Sequence, residues 1–384
     1  MKLRWFLFLA AISVAVLVAG GARASRRPRY GGTLRVEIGA VVRSLDPAGT
    51  SADTEEAEAR SEIGALLYDQ RNSDGTFAGV AGSGAFHIAA WESGKRLTLA
   101  VNENYHAGRA FLDSIEIEMG RSAKDRLLDL EVGKTDFAEI PPEEARRTSE
   151  HGVRVSTSKP QELVALVFVP GRPAAENPRV REALGRSIDR AAIVNFILQK
   201  EGEPAGGLLP QWSNGTAFLF STSADAGGAK DLWSQIGASP RIVLGYDSGD
   251  SLGQAIAERI AVNARDAGIA LSVEPVATPA PSRPNYDARL VRMPMTSSHP
   301  REALASFQAA LVPLSGLDAV PLSAAASSEQ IYERERSIVS GYRVVPLVWL
   351  PRVYGLGARV RDWKVPAAGE GWPFADVWLE QESQ

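Results

Sequence analysis

The stretch from Glu162 to Lys200 constrains the fold most. Leu163 to Val169 is a short apolar run, rich in valine and closed by Pro170 and Gly171, and it reads as a buried strand. A helix follows. Asn177 has the side chain of an N-cap, and Pro178 suits the first helical turn, where its missing N–H is not needed. Val180, Leu184 and Ile188 recur four apart on one face. Asp189 is placed to cap a second helix, with Ala192, Ile193, Phe196 and Ile197 as its apolar side. Arg190 beside it reads as a solvated or ion-paired arginine.

The chain has 384 residues, 45% of them apolar, which is enough for two domains and more than one core. No basic stripe with interleaved aromatics accompanies the formal charge of -4, so nucleic acid is not an expected partner. Cysteine is absent. That excludes disulfides, thiolate metal sites, a cysteine nucleophile and a lipid-modified cysteine anchor. Lys2 and Arg4 precede an uncharged run from Trp5 to Ala22, and Ala22-Arg23-Ala24 has the small-x-small form of a cleavage site. A cleavable signal peptide over residues 1–24 and a periplasmic mature protein are expected. An uncleaved anchor is the competing reading, since the run is just long enough to span a bilayer.

Leu34, Val36 and Ile38 alternate as a strand entered from Gly31-Gly32, and Glu55 to Tyr68 reads as a helix with Ile63, Leu66 and Leu67 inward. Further on, Arg241 to Tyr246 is strand-like, and Leu252 to Ala267 is helical with Ile256, Ile260 and Val262 inward. Ile269 to Val273 is strand-like again. This is a β-α-β unit, for which a parallel sheet is the usual outcome. Pro275, Pro279, Pro281 and Pro284 mark a loop. Glu329 to Ser340 forms a last helix before the apolar run Val344 to Leu350.

The order "apolar strand, loop, N-P-R-V-R-E-A-L-x-x-S-I-D-R-x-x-I-V" across Asn177 to Val194 resembles the central signature of the family 5 extracellular solute-binding proteins, the peptide-, opine- and nickel-binding receptors of ABC importers. Other segments are similar in the same order. Gly31-Gly32-Thr33-Leu34 leading to Ser44-Leu45-Asp46-Pro47 resembles the family's opening. Ala90-Trp91 to Leu99 resembles a family hairpin, and Asn102 to Arg109 a family loop with His106 in the usual tryptophan position. Between residues 69 and 84 the chain passes almost directly to the family's "G-T-G-P-F/Y" turn, so the domain of lobe I that members insert there is expected to be missing.

The resemblance implies an α/β fold, the two-lobed periplasmic binding protein of cluster C type, without that small extra domain. Residues 25–158 with 346–384 would form lobe I and residues 159–345 lobe II. It implies a secreted receptor, monomeric, that binds a peptide or another small polar ligand in the cleft and delivers it to the permease subunits of an ABC importer. No cofactor, metal or catalysis is implied. In the segment Tyr286 to Pro300, Met293 takes the family's tryptophan position, and Thr296 the position of the aspartate that pairs with a ligand ammonium. A hydroxyl supplies no charge there. Ser51, Ala52 and Asp53 match positions that line the cleft in peptide receptors, and Asp53 reads either as a ligand carboxylate or as a cap of the Glu55 helix. Arg289 and Arg292 either serve an acidic ligand or are ordinary exposed arginines. Losing both the extra domain and the acidic anchor is also compatible with a degenerate binding protein, an interaction or sensor module without transport.

Enzymatic readings find no motif. There is no G-x-S-x-G elbow, phosphate loop, H-E-x-x-H or dinucleotide fingerprint, and His87, His106, His151 and His299 are scattered.

Overall fold

The computed structural model describes residues 27–46, 54–71, 77–78, 82–214, 219–237, 240–277 and 284–380. The expected leader, and Ser51, Ala52 and Asp53, lie outside the described residues. Among those described, no helix is long and apolar enough to cross a membrane.

The chain begins with β1 (Thr33–Glu37), α1 (Thr54–Leu67), the hairpin β2 (Phe86–Glu92) and β3 (Arg96–Val101), β4 (Ser114–Glu118), α2 (Ala123–Glu131) and β5 (Phe137–Ile140). The long β6 (Arg154–Phe168) leads to α3 (Pro178–Ser187), β7 (Ile242–Asp247), α4 (Ser251–Asp266), β8 (Leu271–Val276), β9 (Ala288–Pro294), α5 (Pro300–Ser315) and α6 (Ser328–Val339). The return strand is β10 (Val344–Leu356). All ten strands join one sheet in the order β8-β7-β9-β6-β10-β5-β1-β4-β3-β2. The β7-α4-β8 unit is parallel, as its pattern predicts, and β1 is parallel to both β4 and β5. The two long strands, β6 and β10, are antiparallel to each other.

Three apolar cores explain the sequence patterns. Val164, Leu166 and Phe168 pack with Val180, Leu184, Ile256 and Ile260 on one side of β6. Leu163, Ala165 and Val167 pack with Met293, Phe307 and Trp349 on the other. Helices cover both faces of this strand, which is why it reads as a continuous apolar run rather than an alternating one. A third core gathers Leu34 and Val36, Ile63, Leu66 and Leu67 of α1, Ile115 and Ile117, and the returning Tyr354, Trp372 and Phe374. Capping is as expected. Asn177 Oδ1 accepts from the Arg179 N–H at 3.0 Å, and Asp189 Oδ1 from the Ala192 N–H at 2.9 Å.

The structure departs from the sequence reading in five places. Strand β6 starts at Arg154 rather than Leu163, because Arg154 to Thr157 pair with Val353 to Leu356 of β10. After Asp189 the helix widens into a π turn over Ile193–Ile197. That turn takes Phe196 off the inner stripe, leaving it 73% exposed while Val194 is buried. Arg190 is neither solvated nor ion-paired. It is buried, its Nε donates to the Pro346 carbonyl at 2.8 Å, and burial lowers its pKa to about 10. On α4, Ile256 and Ile260 are buried, but Val262 is half-buried because Asn263 and Ala264 complete the inner stripe. Finally, Pro275 lies within β8, which tolerates a missing N–H because it is an edge strand.

Candidate functional site

Where β6 and β10 cross the sheet their pairing is irregular. Register shifts fall between Pro346 and Val348 and on either side of Pro351. Beside this point lies a cavity of about 170 Å³. Its walls come from distant parts of the chain. Glu58, Ser61 and Glu62 project from α1, Gln161 from β6, Arg352 from β10, and Met295 and Thr296 follow the end of β9.

A loop over residues 366–371 closes another side. Ala368 is buried in the core with Met293 and Met295, whereas Trp372 belongs to the core with Leu34 and Ile63. Two glycines allow this approach. At Gly369, with φ +82°, a Cβ would stand 2.1 Å from the Thr296 carbonyl oxygen, and at Gly371 it would stand 2.1 Å from the Ala65 Cβ.

Charge in the cavity is organised by Arg352. Its guanidinium pairs with Glu62 at 2.5 Å, with Glu58, and more distantly with Glu139 at 3.8 Å. Glu58 and Glu62 are four apart on α1, so both face β10. Glu139 on β5 is enclosed by protein on most sides, yet 34% of its side chain remains exposed. Burial pushes its pKa up to about 7, with Glu55 and Glu162 adding to the rise against the pull of Arg126. Tyr354 is two residues beyond Arg352 and therefore on the same face of β10. It is fully buried, its titration is shifted upward mainly by that burial, and its hydroxyl lies beside Arg352, Glu139 and Glu62 without a well-formed hydrogen bond.

The sequence-derived candidates divide. Thr296 is exposed and lines the cavity. Met293 is buried in the core with Phe307 and Trp349 rather than in the cavity wall. Arg292 is held by Glu162 through two bonds of 2.8 and 2.7 Å and approaches Asp250 at 3.4 Å. Burial opposes its charged form, but Glu162 and Asp250 more than compensate and its pKa is raised. Arg289 lies near the start of β9, at the end away from Thr296, with Asp247 Oδ2 3.7 Å away.

Glu58, Glu62 and Arg352 were missed by sequence reasoning. Two signals pointed to them: a pair of acids at helical spacing on α1, and an arginine inside the otherwise apolar run of β10.

The structure superposes on DppA of Helicobacter pylori, in complex with peptide STSA, with a TM-score of 0.73 and 16% identity, covering 92% of this chain and 99% of that one. It superposes on the ABC transporter substrate binding protein CtaP of Listeria monocytogenes with a TM-score of 0.70 and 15% identity, covering 91% and 100%. The fold is therefore that of the two-lobed periplasmic binding proteins.

Residues 51–310 match the model of the bacterial extracellular solute-binding proteins, family 5, in its middle region, and the chain belongs to that family of binding proteins rather than to a family of enzymes. Among curated relatives, the oligopeptide-binding protein AppA of Bacillus subtilis (strain 168) is 26% identical over 125 residues, which is 32% of this chain and 23% of AppA. The probable D,D-dipeptide-binding periplasmic protein DdpA of Escherichia coli (strain K12) is 24% identical over 202 residues, 52% of this chain and 39% of DdpA. The chain thus spans well under two thirds of the curated relatives it matches.

Proposed function

We propose that this protein is the solute receptor of an ABC importer, secreted to the periplasm, and that it takes a peptide-like or other small polar ligand in the cavity between α1, β10 and Thr296. The observation that carries this reading is the position of the cavity. It lies beside the irregular crossing of the two long strands at the middle of the sheet, and its walls come from segments before, between and after them in the chain. The names of AppA and DppA support a peptide-like ligand.

The lobes in this proposal are residues 25–158 with 346–384, and residues 159–345. Prolines 160, 346 and 351 sit near the two boundaries and support them as bending points, because each interrupts ladder hydrogen bonding. Closure around a ligand is then a hinge motion, stabilised by contacts made only in the closed state. Thr296 and the outward part of Arg352 are the proposed ligand contacts from the two lobes.

The test is a thermal-shift and calorimetric panel of peptides, amino acids, sugars and metal chelates. A true ligand at a hundredfold excess over its Kd stabilises the folded state by about 2.7 kcal/mol. No stabilising compound across the panel would overturn the receptor reading.

A further inference from the structure

The inner stripe of α6 carries an acid. Ile331, Glu335, Ile338 and Val339 are the buried residues of this helix, and the three apolar ones belong to the core with Leu208, Leu209 and Phe307. A carboxyl on such a stripe has to be answered by nearby groups. Main chain answers it here. The Leu209 N–H donates to Glu335 Oε1 at 2.9 Å, and the Leu208 N–H also favours the charged form. Gly207 makes room for this approach, since a Cβ there would stand 2.5 Å from the same oxygen.

The cations of the surrounding elements are committed elsewhere. On α6 itself Arg334 donates to Gln308 Oε1 and to the Asp318 carbonyl, and Arg336 pairs with Glu333. On α5 Arg301 pairs with Glu302; on β10 Arg352 is held by Glu58 and Glu62, and Arg343, just before that strand, by Glu176. The loop from Ala205 to Pro210 has no titratable side chain.

Two effects therefore compete at Glu335. Ionisation strengthens the bonds from the loop, but it leaves a full charge in apolar surroundings. Burial prevails and pushes the pKa up to about 7. Once the loop lifts and water reaches the carboxyl, the ordinary value of 4.5 returns. The seated loop thus binds more proton than the lifted one between those values. Its stability is complete below 4.5 and is lost as pH rises through about 7.

The loop is also tied to a proposed bending point. Three residues beyond Leu209, the Trp212 indole Nε1–H donates to the Pro160 carbonyl on β6 at 2.8 Å, and the Lys159 ammonium lies over the same ring at 5.2 Å. Ser213 Oγ is 3.5 Å from the carbonyl of Ser298, two residues past Thr296. Whatever seats the loop braces β6.

We propose that Glu335 is a proton-operated latch: protonated, it keeps the 205–210 loop seated on α6, and ionised, it lets the loop lift, which frees Trp212 from Pro160 and slackens β6. Its bearing on solute exchange rests on the receptor reading above, and the latch itself is tested without a ligand, so either can fail alone.

Hydrogen exchange of the full chain from about pH 5 to about pH 8, corrected for intrinsic rates, is the test. The opening constant of amides in 205–210 is expected to rise by about tenfold per pH unit up to about 7 and to level off above, while amides of α3 do not follow. Glu335→Gln keeps an acceptor oxygen but cannot ionise, and it should hold the loop seated with no slope. Trp212→Phe should loosen the β6 amides on either side of Pro160 at every pH and leave the slope at 205–210 intact. A flat wild-type profile, an equal slope in α3, or a slope that survives Glu335→Gln overturns the latch. The wild-type loop and α3 profiles decide the matter alone if that variant does not fold. Unchanged β6 amides in Trp212→Phe overturn the coupling to β6.

Discussion

Asp136 and Glu139 are three residues apart, one just before β5 and one within it, and their surroundings are opposite. Asp136 is buried and accepts two bonds from Arg35, at 2.9 and 3.0 Å, two from Arg359, both at 2.7 Å, and one from the Arg35 N–H at 3.0 Å. Burial alone would raise its pKa, but the two arginines prevail and hold it below the usual carboxylate range. Glu139 has the reverse balance. Its guanidinium neighbours are more distant or shared with other acids, and its pKa rises to about 7. Charge is over-balanced where β1 and the C-terminal segment are fastened together, and under-balanced at Glu139, behind the Arg352 cluster. The first arrangement is complete as folded, and the second has capacity for a partner.

Substitution of Asp136 is the strongest way to break this contrast. Asp136→Asn leaves two partly buried arginines without their anion and should destabilise the protein by about 3 kcal/mol in urea unfolding, whereas Glu139→Gln should be close to neutral. Equal losses for the two variants would remove the distinction between a carboxylate that is over-paired and one that is under-paired. Next in size is Arg352→Met, which leaves Glu58 and Glu62 facing each other. About 2 kcal/mol should be lost, less than for a fully buried pair because the cluster keeps some contact with water, and part of the loss should be recovered when high salt screens the repulsion. A loss that salt does not relieve would mean that Arg352 matters through packing rather than charge.

The last effect is a slope with pH. Glu139 has a folded-state pKa above its unfolded value, so between the usual 4.5 and about 7 the folded protein binds more proton than the unfolded chain. Stability from this group is therefore greatest below 4.5 and is lost as pH rises through that window. The wild-type stability profile minus that of Glu139→Gln should fall across pH 4.5 to 7 and level off above. Asp136 has the opposite sign, its contribution being present above its unfolded pKa and lost as pH falls through the lower, folded one. A flat difference profile for Glu139→Gln would show that its surroundings do not favour the neutral form.

The fold was largely legible because its main signals are local. Asn177, Pro178 and the spacing of Val180, Leu184 and Ile188 each act within a few residues, and they placed α3 correctly. The failures were tertiary or local exceptions to a regular period. Phe196 left its stripe because the backbone widened by one residue per turn, and Arg190 went inside because a carbonyl at the Pro346 irregularity was waiting for a donor. The long helix α5 was not anticipated, although Pro300 at its first turn and Gly316, with φ +68° at its end, bracket the spacing of Ala303, Leu304, Phe307 and Leu311. The site was less legible than the fold. Thr296 emerged from its position in a pattern, but Arg352 meets Glu62 across 290 residues of sequence, and no periodicity reports a contact of that range.

The loop over residues 366–371 has a consequence for traffic. Its main chain is pressed against Thr296 at Gly369 and against α1 at Gly371, and Ala368 and Trp372 root it in separate cores. In the receptor proposed above, that side would stay shut while the lobes part, so a solute would come and go along the walls made by α1, β10 and Thr296. A change that narrows that passage would then slow entry and exit together and lengthen residence time without any change in affinity.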